Sequence, residues 1–347
     1  MGLADDVDKH VEATAMGHPH DRFSHARVGG GAEQRVEQRD RGFASLDTES
    51  LLSDVSGFQR LTAQEFVGIE FGSDDVLLLG ENWVSSELVA EADLPLVGMI
   101  QHLGCTPSPV LLSIASRSDS QVIVAGIAPS IAPRVANRVI GFTGPLTVRP
   151  MPSWGVIGVG EVGTEVAKKA LATRSSVGIA EIRTPRSGLL TELGVRRHSL
   201  DLLVAGSDVI TIHVHAGPTA SPLISDRELG LMKSDAVLIN TSDSSVVDGE
   251  AVIEALERGE IAGYATDCPS DVVSAADESL ADSGKLIITT NPLTNQIGAP
   301  QQIAKYVIAN VEAFKSKSTV RGVYEPVDFP TIGDPSFWSS RMSPRQD

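Results

Sequence analysis

Cysteine is nearly absent. Cys105 and Cys268 are the two in 347 residues, far apart and in no metal-ligand spacing. They read as reduced thiols of a cytosolic protein rather than as a disulfide framework or a zinc site. Positive charge is also scarce: 28 Lys and Arg stand against 45 Asp and Glu, a formal net charge of −17. Such a chain repels phosphate backbones and anionic lipid heads, so neither nucleic acid nor a membrane surface is an expected partner. No apolar run is long enough to span a bilayer, and the N-terminus lacks the apolar core of a secretory signal. The chain begins Met-Gly, but Asp6 stands where myristoylation requires Ser or Thr. A soluble, cytoplasmic protein is expected.

What is present suits two domains of ordinary size: 347 residues, 41% of them hydrophobic. Residues 1–57 are polar, with a glycine cluster at Gly29, Gly30 and Gly31 and poor hydrophobic periodicity, and read as a poorly ordered segment. His18, His20 and His25 fall in it, with no Cys or carboxylate to complete a metal set, and read as loop histidines. Beyond it, short apolar runs near 76–79, 96–100 and 122–125 alternate with helical patterns at 85–92 and 132–142. Strand-like runs follow at 154–158, 177–180, 209–213, 236–239, 263–266 and 286–289, with amphipathic helices at 250–258 and 303–314. This alternation predicts an α/β fold with parallel sheets covered by helices on both faces.

The clearest signal is GVIGVGEVG at 155–163, in which Gly158, Gly160 and Gly163 form G-x-G-x-x-G between an apolar strand and a helical pattern. The first glycine permits a tight turn, the second lets a pyrophosphate approach the backbone, and the third lets the helix pack close. The helix start, from Gly160 through Glu161, Val162 and Gly163, then offers free N–H groups to phosphate. A glycine-rich turn without a ligand is the alternative for an isolated match. Here the next strand ends in Glu181, about twenty residues past the turn, where an acid binds a ribose 2′-hydroxyl. A carboxylate there repels a 2′-phosphate and selects NAD over NADP, a preference that Arg183 softens.

From this point the chain resembles the D-isomer-specific 2-hydroxyacid dehydrogenase family. SDVITIHVHAGPTASPLIS (207–225) resembles the family's aspartate–strand–His-x-Pro stretch, with His215 in place of Pro. LMKSDAVLIN (231–240) and VVDGEAVIEALERGEIAGYATD (246–267) resemble the strand, helix and strand that follow. IQHLG (100–104) and VANR (135–138) resemble the substrate loop and the start of an interdomain helix. The resemblance covers about 76–314. It implies two doubly wound parallel-sheet domains, a Rossmann NAD-binding domain (131–296) inserted in a flavodoxin-like substrate domain (58–130 and 297–327), with an irregular tail over 328–347. It also implies that His213, Thr241 and Asp267, at the carboxyl ends of successive strands, adjoin the cofactor.

The family's reaction uses an arginine to clamp and polarise the substrate, a histidine to donate a proton, and a glutamate to orient that histidine. In an ungapped reading the arginine position holds Asp243, the glutamate position Val272 beside Asp271, and the histidine position Asn291. An anion at 243 repels a substrate carboxylate, and asparagine moves no proton near neutral pH. Asp243, Asp271 and Asn291 are therefore the altered catalytic candidates, with His102 in the presumed substrate loop beside Cys105 and Thr106 as a further one. For His102 and His213 the simpler readings are a surface residue and a structural neighbour of the cofactor; Cys268 and Tyr264 read as packing residues. The segment 137–158 is shorter than the family counterpart that carries a dimer-forming arm, so a homodimer by that route is in doubt. Three readings remain: an NAD-dependent oxidoreductase acting on a small molecule at a rebuilt site, a non-catalytic NAD-binding regulatory or scaffold protein, and a decayed paralogue with little function, to which the degenerate N-terminal region and the shortened arm point.

Overall fold

A computed structural model of the chain describes residues 25–28, 58–60, 72–79, 97–104, 111, 114–115, 121–147, 149–181, 188–214, 221–276, 278–289 and 299–324. The backbone divides into two compact units, one of Met1–Ser130 with Thr294–Pro326 and one of Ile131–Leu293 with Val327–Asp347. The helix expected at 85–92, the tail over 328–347 and the histidines His18 and His20 lie outside the described residues.

In the first unit, β1 (His25–Val28), β2 (Phe58–Arg60), β3 (Val76–Leu79), β4 (Met99–His102) and β5 (Ile123–Ala125) form one sheet in the order β2-β1-β3-β4-β5. β3, β4 and β5 are parallel, and β1 runs against both its neighbours. β1 lies inside the segment read as poorly ordered; its four residues have no apolar periodicity and pair with β3 from His25↔Leu79 to Val28↔Val76. β3 and β4 are buried at every position, which suits inner strands covered on both faces.

Gln101, fully buried on β4, donates to the carbonyls of His102 and Ala125 and accepts from Asn310 Nδ2 at 2.7 Å. Asn310 in turn holds both the carbonyl and the N–H of Arg321. These bonds fix the chain at 321–324 against the edge of β5, where Ala125 bridges Val323 and Tyr324 N–H donates to Val124 O at 2.8 Å.

The two units share α1 (Ala128–Leu146), most of which belongs to the second. β6 (Trp154–Ile157), α2 (Glu161–Ala172), β7 (Val177–Ala180), α3 (Leu189–Leu193), β8 (Arg196–Arg197), α4 (Leu200–Gly206) and β9 (Val209–Ile212) follow. Then come α5 (Asp226–Leu229), β10 (Val237–Asn240), α6 (Gly249–Arg258), β11 (Gly263–Thr266), α7 (Asp271–Ser274), α8 (Glu278–Asp282) and β12 (Leu286–Ile288), and α9 (Ala299–Lys315) returns to the first unit.

The second sheet is parallel throughout, in the order β12-β11-β10-β9-β6-β7-β8. Strand order reverses at β6, which leaves a crevice between β6 and β9 at their carboxyl ends, the place where doubly wound sheets bind ligands. β6, β9 and β10 are buried along their length, and α6 starts on the Asp248 carboxylate, which accepts from the N–H groups of Glu250 and Ala251.

Candidate functional site: a dinucleotide cradle and a strand-end cluster

The glycine turn sits on the crevice. Gly158 has φ +87°, a left-handed conformation that side chains disfavour, and a Cβ there would lie 2.6 Å from the carbonyl of His213. A Cβ on Gly163 would lie 1.9 Å from the carbonyl of Gly158, so α2 packs directly on the turn that precedes it. Gly160 is the cap residue of α2, and the first intrahelical bond runs from Thr164 N–H to Gly160 O at 3.0 Å. The N–H groups of Glu161, Val162 and Gly163 precede that bond and lie where a helix start presents its donors and partial positive charge. The side chain of Glu161, exposed at the first helical position, adds a negative charge to this end.

Glu181 follows β7 and is 4% exposed. Its Oε2 accepts from the Val159 N–H at 2.9 Å, inside the glycine turn. The acid predicted at the end of the second strand is thereby tied to the loop predicted to hold phosphates. Val159 as the donor was not foreseeable, because a backbone N–H carries no mark in sequence.

Across the crevice, His213 ends β9. Its Nε2 lies 2.9 Å from Thr211 Oγ1, and its N–H donates to Ile157 O at 2.7 Å. His213 is half-buried and its carbonyl backs Gly158, which places it beside the cradle.

A second group gathers at the carboxyl ends of β10 and β11. Asn240, fully buried, accepts from the Ser242 N–H and hydroxyl and donates Nδ2 to Asp243 O at 2.7 Å. Its role in shaping this turn was missed in sequence; a polar residue closing an otherwise apolar VLIN run is the signal that was available. Asp243 then caps a short 3-10 turn (Ser244–Val246): its Oδ1 accepts from the Ser245 N–H at 2.9 Å and hydroxyl at 2.8 Å. Thr241 Oγ1 and, at the end of β12, Thr289 Oγ1 are buried with no hydrogen-bond partner among the described residues.

Cys268 Sγ lies 3.7 Å from Asn240 O, and burial, with a smaller contribution from Asp267 and Asp243, pushes its thiol up to about 11. A thiol raised in this way stays protonated, which suits the packing role expected of it. Tyr264 is 2% exposed, and burial raises its hydroxyl to about 12, which fits the core role expected.

Asp267, just past β11, pairs with Arg138 of α1 at 2.8 Å, with side chains 14% and 10% exposed. Burial pushes the Asp267 carboxyl up, and the Arg138 guanidinium acts against that. Arg138 was noted only within the VANR string.

Asp271 opens α7 and is exposed. Val272 is 43% exposed. His102 is fully buried, not a surface residue: as the last residue of β4 it is covered, and its Nδ1 lies 3.3 Å from Tyr324 Oη. Asn291, His215, Arg183, Cys105 and Thr106 lie outside the described residues. Among the described residues no group of three or more His, Cys, Asp or Glu is placed to hold a metal ion, and no helix is long and apolar enough to cross a membrane.

These features fit a dinucleotide. The turn is a cradle that side chains would fill, a carboxylate at the end of the second strand is bonded to that turn, and the hydroxyls of Thr241 and Thr289 are buried without a partner among the described residues. Residues 151–290 match the family described as D-isomer specific 2-hydroxyacid dehydrogenase, NAD binding domain. The chain is 34% identical over 165 residues to a glycerate dehydrogenase of Methylorubrum extorquens, covering 46% of this chain and 49% of that protein. It thus spans about half the length of that relative. It is 30% identical over 219 residues to a protein of Staphylococcus aureus named as a 2-hydroxyacid dehydrogenase, covering 60% of this chain and 67% of the relative. A D-lactate dehydrogenase of Aquifex aeolicus, solved with NAD and lactic acid, shares the fold with a TM-score of 0.60 at 21% identity, covering 80% of this chain and 95% of that one.

Proposed function

The chain belongs to the D-isomer-specific 2-hydroxyacid dehydrogenase family, and on that premise we propose that it is an NAD-dependent oxidoreductase whose substrate is a small molecule unlike the family's usual 2-oxo acids. The observation that carries the cofactor reading is the bond from Val159 N–H to Glu181 Oε2, which joins the phosphate turn to the ribose-reading acid. The N–H groups of Gly160, Glu161, Val162 and Gly163 receive the pyrophosphate, and Glu181 accepts from the adenosine ribose and disfavours a 2′-phosphate. His213, Thr241 and Asp267 line the nicotinamide half. When bound, NAD(H) supplies or accepts the hydride.

The altered substrate rests on Asp243. Its carboxylate stands where the family has a cation and is engaged in capping Ser245. An anion there favours a neutral carbonyl or an amine-bearing substrate over a carboxylate-bearing one. Asp243, Asp271, Asn291 and His102 are the catalytic candidates to substitute first. The test is NADH oxidation with a panel of neutral carbonyls, amino-carbonyls and 2-oxo acids. Turnover confined to neutral or cationic substrates supports the proposal. Turnover of 2-oxo acids alone overturns the substrate reading, and tight NADH binding with no oxidation by any class favours the regulatory alternative.

A further inference from the structure

The phosphate turn and the first half of α2 carry no positive side chain. From Trp154 to Ala167 the charged residues are two acids, Glu161 and Glu165, and the first base is Lys168. Glu161 and Glu165 stand four residues apart, so they share one face of α2. Their surroundings differ. Glu165 pairs with the Lys168 ammonium at 2.7 Å. Glu161, at the first helical position, is exposed and makes no ion pair or side-chain hydrogen bond among the described residues.

An acid here suits an empty helix start, whose free N–H groups and partial positive charge attract it. The same start receives the pyrophosphate when NAD(H) binds, and the pyrophosphate is itself an anion. Glu161 and the cofactor therefore compete for one positive end.

We propose that Glu161 sets the affinity of the cofactor site: its unpaired carboxylate repels the pyrophosphate, so NAD(H) binds weakly at low ionic strength and more tightly as cations screen that carboxylate. The inference rests on the cofactor reading above. The neighbouring charges leave the repulsion standing. Glu181 is a second anion, bonded to the Val159 N–H inside the turn. Lys168 is committed to Glu165, and Lys169 lies in the last turn of α2, away from its start. The formal charge of −17 adds a weaker, long-range repulsion of the same sign. The usual salt effect is thereby inverted. An anionic ligand clamped by lysines or arginines is loosened by salt, whereas one that faces a carboxylate is tightened by it.

The test is titration of the full chain with NADH, followed by nicotinamide fluorescence, at about 10 mM and about 1 M potassium chloride, where charges are felt over about 30 Å and about 3 Å. Wild type is compared with Glu161→Gln, Glu161→Arg and Glu257→Gln. Glu257 is exposed in the last turn of α6, which runs from the carboxyl end of β10 back to the amino end of β11. Its replacement removes the same unit of charge at the opposite edge of the sheet.

Wild type is expected to bind NADH more tightly at high salt than at low salt. Glu161→Gln binds about three- to tenfold tighter than wild type at low salt and within about twofold of it at high salt. The tightening by salt shrinks in the order wild type, Glu161→Gln, Glu161→Arg, and Glu257→Gln follows wild type. Damage to the helix start weakens binding at both salt concentrations and cannot produce a gain that salt erases. If Glu161→Arg fails to fold, the neutral variant carries the reading. Equal affinity of wild type and Glu161→Gln at low salt overturns the proposal, as does an equal gain in Glu257→Gln. Failure of wild type to bind NADH at either salt concentration is a different result: it removes the cofactor reading itself, and the proposal falls with it.

Discussion

Val159 donates its backbone N–H to the carboxylate of Glu181 across 2.9 Å, so one bond ties the loop that follows β6 to the acid that follows β7. Both partners are buried, which puts this bond among the charge-assisted contacts that are expensive to break.

Replacing Glu181 with alanine is therefore expected to act twice, by removing the ribose acceptor and by releasing the turn. NADH affinity should fall about tenfold to a hundredfold by fluorescence titration, and NADPH should lose far less. Unchanged NADH affinity in this variant would remove the ribose site assigned to Glu181.

Gly163 has no room for a side chain, since its Cβ would lie 1.9 Å from the carbonyl of Gly158. The opposing atom is backbone, so relief requires moving α2 away from the turn. Gly163→Ala should cost on the order of 2–3 kcal/mol of stability by denaturant unfolding and weaken NADH binding more than the stability loss explains. A variant as stable as wild type would show that the helix is not packed on the turn as described.

Asp208 anchors the opposite edge of the sheet, where β9 begins. Burial by itself raises its carboxyl, but the Lys233 ammonium and the N–H and hydroxyl of Ser153 outweigh that and hold it down to about 2 from 3.8. A depressed folded value means that the stabilisation is present above about pH 3.8 and is lost as pH falls toward about 2. Discounted for the half-exposed lysine, Asp208→Asn should cost about 1–2 kcal/mol at pH 7, and the difference from wild type should vanish in acid. A gap between the two melting curves that does not narrow as pH falls from about 3.8 toward about 2 would contradict this.

Asp243 can be tested by reversal. Asp243→Arg with Asn291→His returns a cation and an imidazole to the positions where the family has them, and should bring measurable reduction of a 2-oxo acid such as hydroxypyruvate. The arginine gives up the cap on Ser245, so a loss of about 1 kcal/mol in stability accompanies the gain. A folded double variant that binds NADH and reduces no 2-oxo acid would show that positions 243 and 291 do not face the reacting carbonyl.

Much of the second unit was legible in the sequence because each local signal agreed with the others. Apolar runs such as VITI and VLIN can be buried on both faces only as inner parallel strands, and the glycines at 158 and 163 admit a left-handed turn and a close helix. Glu181 was found because its distance from the turn follows from the length of one helix and one strand. The first unit was less legible. β1 has no periodicity of its own, and its order comes from a partner about fifty residues away, which no local pattern records.

At the strand ends the reading was partial for a related reason. The residue types at 243 and 272 are readable in sequence, but what Asp243 does depends on a two-residue turn closed by Asn240. His102 illustrates the same limit. Its place at the end of a strand was readable, while its burial beneath Tyr324 depends on a chain segment more than two hundred residues later.

The most direct test of the central claim is a titration of the purified full-length chain with NADH, followed by nicotinamide fluorescence and repeated with NADPH. Saturable binding of NADH in the micromolar range or tighter is expected, with NADPH at least tenfold weaker because Glu181 opposes a 2′-phosphate. Absence of saturable NADH binding, or a preference for NADPH, would contradict it.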